Sequence, residues 1–335
     1  MSRVRGRSFR VSDHCDGRRF FNPYGPTGKS VWDVLQWIVR EPSEPWPTSV
    51  PLPAYPQPPG TIEPGTCAVT FVNHCTLLLQ WSGLRILTDP VFSARVSPLP
   101  WAGPRRVMAP GVDLDALPPI DVILVSHNHY DHMDAASLRV LLARHDPLVV
   151  TPLGNSRLLK RLGARRVEER DWWETVTTAA ARITLTPARH WSNRLGVPRN
   201  GALWSGFWIE VGDSSLYFAG DSAYGPHFAD IAGRLGSPDV SLLPIGAYDP
   251  RWFMRDQHMD PAEAVQAHED LGSGTSIATH FGTFRLTNEG WDAPVRALAA
   301  ARALRGLTAE RFRVLGQGET VRTRRAPAAG SHAGP

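Results

Sequence analysis

The sequence predicts an α/β protein, and three observations support that prediction. Short apolar runs of strand length recur from Cys67 to Gly316, and apolar patterns with helical spacing fall between several of them. The 335 residues are 42% hydrophobic, which is enough to bury a sizeable core in one large domain or two ordinary ones. A group of metal-ligand-type side chains follows one of the predicted strands. We therefore expect a site on loops that leave strand ends.

The N-terminal part of the chain differs in composition from the rest. Residues 1–19 hold six arginines against two aspartates, a net charge of +4. Nine prolines between Pro42 and Pro64 exclude regular helix or sheet there and predict an extended arm. Trp46, Leu52 and Tyr55 would anchor this arm on the body of the protein.

A helix is predicted between the basic segment and the arm, over Lys29 to Glu41. Its apolar residues fall on one face, and we expect Trp32 and Trp37 to be buried against the body. Contact of this face with a membrane surface is the alternative. The apolar positions are Trp32, Leu35, Ile38 and Val39.

The body of the chain alternates predicted strands with predicted helices. The spacing of apolar residues leaves open whether the strands form one sheet or two. The predicted strands are CAVTFV, TLLLQW, LRILTDP, DVILVS, LVVTP, RITLTPA, GFWIEVG, SSLYFAG, VSLLPIG, SIATHF and FRVLG. The predicted helices are Ala135 to His145, Asn155 to Leu162, His227 to Leu235, Pro261 to Leu271 and Asp292 to Leu304.

The stretch from Asp121 to Asp134, DVILVSHNHYDHMD, carries the strongest functional signal. An apolar run with three β-branched residues ends in three histidines and two aspartates. Because side chains two apart on an extended segment share a side, His127 and His129 can reach one point, and Asp131 and His132 follow where the chain turns. Four such zinc-type ligands within six residues exceed the needs of one tetrahedral site. The pattern indicates two adjacent metal ions. For any single histidine, the alternative is that it lies in a solvated polar loop and binds no metal.

This motif resembles the HxHxDH motif of the metallo-β-lactamase superfamily, and SHNHYDHMD resembles the branch that contains N-acylphosphatidylethanolamine-hydrolysing phospholipase D. The resemblance runs from about Cys67 to about Pro294. HxHxDH alone identifies only the superfamily, whereas IGAYDPRWFM and HFGTF are narrower signals. The resemblance implies an αββα sandwich of two mixed β-sheets with helices on the outer faces. The other matching phrases, in the family's order, are LTDPVFS, GPRR, ARHW, FAGDSAYG, LPIGAYDPRWFM, QHMDPAEA and THFGTF.

The resemblance also implies two zinc ions per chain. His190, Asp221 and His280 each close a predicted strand, which is where a site assembled from distant loops collects its ligands. By the resemblance, one zinc ion takes His127, His129 and His190, the other takes Asp131, His132 and His280, and Asp221 bridges the two.

Three further residues are expected to contact the substrate. Tyr130 and His258 match family positions near the substrate and are not needed as ligands, and Gln257 lies beside His258. We expect Asp221 to orient the nucleophile and to accept its proton. His258, if protonated, would hydrogen-bond a phosphate oxygen or protonate the leaving group.

The remaining histidines and the cysteines have weaker signals. His74 falls where the family has a glycine-histidine pair, but Asn73 replaces the glycine, so we expect His74 beside the ligands at most. The three cysteines lack paired CxxC spacing and are expected to be small buried or free thiols. Surface positions are expected for His14, His145, His227, His268 and His332.

The resemblance implies a phosphodiester hydrolase of phospholipase D type. Such an enzyme releases phosphatidic acid and an N-acylethanolamine from N-acylphosphatidylethanolamine-like lipids. One alternative is hydrolysis of a soluble cyclic phosphodiester or a lactone at the same site. Another is a catalytically silent metal-binding or interaction protein, against which the complete ligand set argues.

The chain is expected to divide into three segments. Residues 1–65 form the basic segment, the short helix and the proline-rich arm, which together pack on the body. Residues 66–320 form the metallo-β-lactamase-like hydrolase domain, and residues 321–335 form a disordered basic tail of charge +3. The net charge of +4 therefore leaves about −3 on the body, which has no basic stripe of the kind that binds nucleic acid.

No stretch of the sequence is long and apolar enough to span a bilayer, and no signal peptide is recognised at its start. We expect a cytoplasmic protein with reversible contact at the membrane surface. Two apolar stretches flanked by arginines, Trp32 to Val39 and Val96 to Trp101, are the candidates for that contact. A homo-oligomer is compatible with the sequence.

Overall fold

The computed structural model describes residues 8–23, 25–26 and 29–324. Within these residues, fourteen strands form two facing seven-stranded sheets. The helices are α1 (Val31–Arg40), α2 (Ala135–His145), α3 (Ser156–Arg161), α4 (His227–Leu235), α5 (Arg251–Met254), α6 (Pro261–Asp270) and α7 (Ala293–Arg305). The strands are β1 (Thr66–Asn73), β2 (Thr76–Trp81), β3 (Leu84–Thr88), β4 (Val122–Leu124), β5 (Leu148–Pro152), β6 (Arg166–Arg170), β7 (Thr175–Thr177), β8 (Arg182–Thr186), β9 (Gly206–Val211), β10 (Ser214–Phe218), β11 (Val240–Pro244), β12 (Thr275–Thr279), β13 (Phe312–Arg313) and β14 (Thr320–Arg324).

Both sheets are mixed, each with an antiparallel and a parallel half. The first has the order β14-β1-β2-β3-β4-β5-β6 and the second the order β13-β12-β11-β10-β9-β8-β7. In the first sheet the pairs from β3 to β6 are parallel, and in the second those from β10 to β13 are parallel. Parallel strands bring their carboxyl ends to one edge of a sheet, which is where loops can build a site.

Successive side chains of a strand point to opposite faces of its sheet, which explains how the sheets and helices pack in layers. In β2, Leu77 and Leu79 enter the core between the two sheets, whereas Leu78 belongs to the core under α2 and α3. On the second sheet, Tyr217 packs with Phe228 of α4 and with residues of α6 and α7. Both faces of each sheet are thus covered, and the predicted αββα sandwich is confirmed.

The predicted helices of the body are all present. α2 and α4 span the predicted residues, and α3, α6 and α7 differ from the prediction by one residue at one or both ends. Three strands, β6, β7 and β14, and the single-turn helix α5 were not predicted. Strand β6 reads RVEER and is only partly buried, so no apolar alternation marks it.

The prediction that a disordered tail begins at residue 321 is wrong. Residues 320–324 form β14, which pairs antiparallel with β1. Val321 is buried in the core between the sheets, Arg322 is exposed, and the hydroxyls of Thr320 and Thr70 lie 2.7 Å apart. This alternation of buried and exposed side chains is typical of a strand, and β14 forms one edge of the first sheet. The rest of the predicted tail, residues 325–335, lies outside the described residues, as do residues 1–7 of the basic segment.

Helix α1 forms at the predicted place, but the predicted burial of Trp32 is wrong. Ser30 caps the helix in a capping box with Asp33. Trp37 is half-buried, with its Nε1 donating to Asn288 Oδ1 at 3.0 Å. The side chain of Trp32 is 79% exposed, because the helix meets the body through Trp37 and turns its predicted apolar face outward. The exposed apolar residues of α1 are Trp32, Val34, Leu35, Ile38 and Val39.

The proline-rich arm contains no helix or strand from Glu41 to Gly65, all of which is described. Backbone and side-chain donors hold it to the body: Trp46 Nε1 donates to the Glu289 carbonyl at 2.8 Å, and the Val50 amide donates to the Val107 carbonyl at 2.7 Å. None of the helices formed by the described residues is both long and apolar enough to traverse a bilayer.

The surface positions expected for His14, His227 and His268 are wrong, because all three are buried. Each is held by polar partners, and His14, for example, lies between the carboxylates of Asp13 and Asp171. His145 is half-buried, and His332 lies outside the described residues. The three cysteines are buried and free, as predicted.

Candidate metal centre

The predicted ligands meet at one edge of the sandwich, on loops that follow four strand ends. His127, His129, Asp131 and His132 follow β4 of the first sheet. The other three follow strands of the second sheet: His190 comes after β8, Asp221 after β10 and His280 directly after β12. The loop after β4 ends at Asp134, whose side chain caps α2.

The first set of ligand atoms consists of three ring nitrogens. Nδ1 of His129 lies 2.9 Å from Nε2 of His127 and 3.2 Å from Nε2 of His190. Two nitrogens bound to one tetrahedral zinc ion at 2.0–2.1 Å would be about 3.3 Å apart. These three nitrogens are therefore spaced as ligands of a common ion would be.

The second set consists of Asp131, His132 and His280. Oδ2 of Asp131 lies 3.4 Å from Nε2 of His132 and 3.5 Å from Nε2 of His280. Neither Nε2 atom has a hydrogen-bond partner among the described residues, although both are buried. A buried nitrogen without a hydrogen-bond partner destabilises the folded protein, and a bound metal ion would give both nitrogens a partner.

Asp221 lies between the two sets. Its Oδ2 is 3.1 Å from Nε2 of His132 and 3.2 Å from Nε2 of His280. The same oxygen is 3.8 Å from Nε2 of His127 and 3.7 Å from Nε2 of His190. Oδ1 is buried without a hydrogen-bond partner among the described residues. A carboxylate in this position can bind an ion in each set.

The electrostatics of the two sets differ. Burial lowers the pKa of His129 to about 3 and that of His190 to about 4, so these rings are neutral and their lone pairs are available. Burial also lowers the pKa of His280, but the carboxylates of Asp221 and Asp131 outweigh it and raise that pKa to about 9. The pKa of His132 is raised for the same reason. In the metal-free protein, protons on His132 and His280 therefore take the place of positive metal charge.

Neighbouring groups hold the outer nitrogen of three of the five candidate ligand rings. Nδ1 of His132 donates to Oδ2 of the buried Asp89 at 2.7 Å, and Nδ1 of His190 donates to the Gln257 carbonyl at 2.9 Å. Ser126 Oγ also donates to Asp89 and lies 2.9 Å from Nδ1 of His127. Such contacts orient metal-binding histidines and raise their basicity. The sequence analysis missed the role of Asp89, although Asp89 lies in the matching phrase LTDPVFS.

His74 lies beside the ligands, in the turn between β1 and β2. Its Nε2 is 3.1 Å from Oδ2 of Asp131, and its ring centroid is 4.1 Å from that of His280. Burial lowers the pKa of His74 to about 3. A neutral His74 can donate one hydrogen bond to Asp131 and orient its carboxylate toward the second set.

A pocket of ≈ 320 Å³ opens onto the centre. His258 and Gln257 line it, as expected for substrate contacts. Burial lowers the pKa of His258 well below its usual value, and its Nδ1 has no hydrogen-bond partner among the described residues. Tyr130 is not among the lining residues, because its hydroxyl accepts a hydrogen bond from the Leu195 amide at 3.1 Å. Apolar walls, which the sequence analysis did not predict, come from Val34, Trp37, Trp191, Phe253, Met254 and Leu286.

The chain resembles several known proteins in sequence. Residues 84–281 match the family model described as "Beta-lactamase superfamily domain". An uncharacterized protein of Mycobacterium bovis is 41% identical over 240 residues, which cover 70% of this chain and 63% of that protein. N-acyl-phosphatidylethanolamine-hydrolyzing phospholipase D 1 of Caenorhabditis elegans is 36% identical, over 65% of this chain and 64% of that enzyme. The chain thus spans somewhat less than two thirds of the length of these two relatives.

A shorter relative and a solved structure extend the comparison. A UPF0173 metal-dependent hydrolase of Opitutus terrae is 32% identical, over 76% of this chain and 98% of that protein. The structure of Igni18, a metallo hydrolase from Ignicoccus hospitalis, aligns with a TM-score of 0.57 at 22% identity, over 77% of this chain and 98% of that one. The family model covers more than half of the chain, and the fold agrees with it. This chain therefore belongs to the metallo-β-lactamase superfamily.

Proposed function

We propose that this protein is a dinuclear zinc hydrolase of phospholipase D type that acts on N-acylphosphatidylethanolamine-like lipids. The observation that carries the proposal is the position of Asp221, between two complete ligand sets at the base of an apolar pocket. His127, His129 and His190 would hold one ion, and Asp131, His132 and His280 the other. Ions bound there would supply hydroxide at neutral pH and stabilise negative charge on the phosphate.

The reaction consumes one water molecule. The water oxygen forms a bond to phosphorus, and the bond from phosphorus to the ethanolamine oxygen breaks. One proton of the water ends on the released N-acylethanolamine, and the other stays on the phosphate of the phosphatidic acid. In this scheme the unpartnered Oδ1 of Asp221 accepts a hydrogen bond from the attacking water and holds it in line with the bond that breaks.

The proposed role of His258 is narrower than the sequence analysis suggested. Because burial lowers its pKa, the ring is neutral near pH 7 and carries a single N–H. A neutral ring can donate a hydrogen bond to a phosphate oxygen, but it lacks the extra proton that a leaving group would take. His258 therefore serves as a hydrogen-bond donor to the phosphate in our proposal.

The pocket favours a lipid over a small soluble ester. Its walls are built mainly from aromatic and aliphatic side chains, two of them from α1. Such walls exclude water and stabilise an acyl chain by about 0.8 kcal/mol for each buried CH₂ group. The relative from Caenorhabditis elegans is named for activity on such a lipid.

We also propose that the protein docks on a membrane with the pocket facing the lipid. Exposed apolar side chains that can enter the lipid are Trp32 and Ile38 on α1, the helix that also lends two residues to the pocket wall, Leu195 on the loop that carries Trp191, and Trp101 on the loop before Arg105. Lys29 precedes α1 in the sequence, Arg40 is its last residue, and Arg105 follows Trp101 on its loop, which suits an anionic surface. Binding is then reversible and weakens with added salt.

A substrate panel tests the proposed reaction. The zinc-loaded protein is assayed on N-acylphosphatidylethanolamine, ordinary phosphatidylethanolamine, a cyclic nucleotide and a lactone. We expect phosphatidic acid and N-acylethanolamine from the first lipid, and loss of that activity in Asp221→Asn. Hydrolysis of the lactone or the cyclic nucleotide alone would replace the lipid proposal with its soluble-substrate alternative. Zinc binding without turnover of any compound would point to a silent metal protein.

Metal content tests the assignment of the ligands. Elemental analysis should find two zinc ions per chain, close to one in His127→Ala, and fewer than in the parent protein for Asp221→Ala, because the bridge is lost. Retention of two ions in the Asp221 variant would show that the bridge is misassigned.

A further inference from the structure

The mouth of the pocket carries positive charge that the metal centre does not use. Lys29 and Arg199 line the pocket, and Arg189 lies beside Lys29. Asp256 pairs with Lys29 at 3.1 Å and with Arg189 at 2.8 Å. One carboxylate is thus shared by Lys29 and Arg189. Within the described residues Arg199 forms no salt bridge, so it is the cation available to an incoming anion.

Arg199 is held in place without using most of its donors. Its guanidinium lies 4.6 Å from the centroid of the Trp191 ring, in a cation–π contact. NH1 donates to the Lys29 carbonyl at 3.3 Å. Arg194, on the same loop, is different: it is buried, and its NH1 donates to the carbonyls of Asn128 and Met133. Arg194 therefore maintains the loop, whereas Arg199 presents a planar, positioned fork to the pocket.

The distance from Arg199 to the centre suits a small substrate group. The Trp191 ring centroid is 4.6 Å from that of His129, and the guanidinium is 4.6 Å from Trp191, so Arg199 lies within about 9 Å of the His129 ring. A guanidinium and a carboxylate pair with N–O distances of about 2.8 Å. An acidic group only a few bonds from the scissile phosphorus can therefore reach Arg199 while the phosphate occupies the centre.

We propose that Arg199 is a specificity-determining residue that pairs with a carboxylate on the headgroup of the substrate. The lipid that the protein prefers is then an N-acylated phospholipid with an acidic headgroup, such as N-acylphosphatidylserine. This inference rests on the proposed function, because it takes the phosphodiester to be cleaved at the metal centre. Trp191 acts as the positioning residue, since its ring fixes the plane of the guanidinium.

Kinetics on a matched pair of lipids tests the pairing. The zinc-loaded protein is assayed in neutral mixed micelles on N-acylphosphatidylserine and N-acylphosphatidylethanolamine, and the ratio of the two kcat/KM values is compared among variants. Arg199→Gln should lower this ratio about tenfold, mainly through KM for the acidic lipid, and Arg199→Lys should lower it less. Arg161→Gln, on α3 on the outer face of the first sheet, is the control and should leave it unchanged. An unchanged ratio in Arg199→Gln would overturn the proposal.

A second experiment tests whether the carboxylate that pairs with Arg199 must belong to the lipid that is cleaved or can belong to a neighbouring lipid. N-acylphosphatidylethanolamine is assayed with an equal amount of ordinary phosphatidylserine in the micelle. We expect no Arg199-dependent gain from the separate lipid. A gain as large as that seen with N-acylphosphatidylserine would assign Arg199 to neighbouring anionic lipids and refute the substrate pairing.

Equilibrium binding separates this inference from the proposed reaction. N-acylserine and N-acylethanolamine differ only in the carboxylate, and their affinities for the zinc-loaded protein are measured by calorimetry. Arg199→Gln should weaken binding of N-acylserine about tenfold and reduce its advantage over N-acylethanolamine. If neither phospholipid is hydrolysed while this difference is present, the proposed reaction fails and the carboxylate site stands. Equal affinity of the parent protein and Arg199→Gln for N-acylserine refutes the carboxylate site itself.

Discussion

At the scale of single residues, the outer nitrogens of His132 and His190 matter as much as the nitrogens that face the centre. Nδ1 of His132 is committed to Asp89 and Nδ1 of His190 to the Gln257 carbonyl, so Nε2 of each ring is left for the centre. The sequence marked the seven candidate ligands as strand-end residues, the family resemblance assigned them to one site, and the structure brings them together. Asp89 could not be found that way, because it lies 43 residues before the histidine that it orients.

Asp89→Asn should weaken metal binding without unfolding the protein. The amide keeps the shape of the side chain but removes the negative charge that His132 donates to, so we expect a 10- to 100-fold loss of affinity for one ion. Competition with a chelator at fixed pH measures this loss. Asp113→Asn, at an exposed turn, is the control and should have no effect. Equal affinity in Asp89→Asn and the parent protein would show that Asp89 is not a positioning residue.

Metal affinity should rise with pH up to about pH 9. The pKa of His280 in the metal-free protein is about 9, so below that pH the ring holds a proton that a metal ion must displace. The affinity for the second ion should therefore increase at least tenfold for each pH unit from 7 to 9, since His132 must release its proton as well. Chelator competition across this range, with proton release measured at pH 7.5, provides the test. A flat profile would mean that His280 is not a ligand.

At the scale of elements, the strongly patterned segments were predictable and the weakly patterned ones were not. Helix α2 begins at a capping aspartate and keeps its apolar spacing to His145, and its predicted bounds are confirmed. Strands β6, β7 and β14 are short and rich in charged or hydroxyl side chains, so their pairing depends on neighbours that the local sequence does not contain. The apolar spacing of α1 revealed a helix, but spacing alone does not distinguish a protein core from a lipid surface as the environment of its apolar face.

The exposed face of α1 should bind vesicles. The double variant Trp32→Ser with Ile38→Ser removes two side chains that are 79% and 70% exposed, so we expect vesicle binding to weaken at least about tenfold with little change in Tm. Co-sedimentation with anionic vesicles at low and high salt measures the binding. Leu304→Ser, 87% exposed on α7, is the matched control. Equal loss in both variants would indicate a general surface effect rather than a docking face.

Strand β14 should contribute measurably to folding. Val321→Asp places a carboxylate in the core between the sheets and should lower the free energy of unfolding by about 3 kcal/mol. Arg322→Asp, exposed on the same strand, should change it by about 0.5 kcal/mol or less. Urea denaturation measures both values. If Val321→Asp is as stable as Arg322→Asp, residues 320–324 do not form an edge strand in solution.

At the scale of the whole molecule, the centre connects the two sheets. One group of ligands follows β4 of the first sheet, and the others follow β8, β10 and β12 of the second. Both ligand sets combine residues from the two sheets, so an ion in either set joins loops that the core holds only at their bases. Metal binding should therefore stabilise the whole fold rather than one loop.

Chelation should lower Tm in proportion to the number of ions lost. Two ions at 100-fold excess over their Kd each contribute about 2.7 kcal/mol, so removing both should lower Tm by about 5 to 10 °C. His127→Ala, which we expect to hold one ion, should show about half of this shift. Calorimetry with and without chelator measures the difference, and an unchanged Tm would place the ions outside the folded core.

The separation between the core and the metal centre has a consequence for evolution. The aliphatic and aromatic residues between the sheets end where the polar strand-end loops begin, so the scaffold and the chemistry occupy different residues. A mutation in one of these loops can alter the reaction with little change to the packing that lets the chain fold, and a core mutation can accumulate without moving the ligands. Lineages can therefore inherit the scaffold while the reaction diversifies, which accords with a shared fold at only 22% identity.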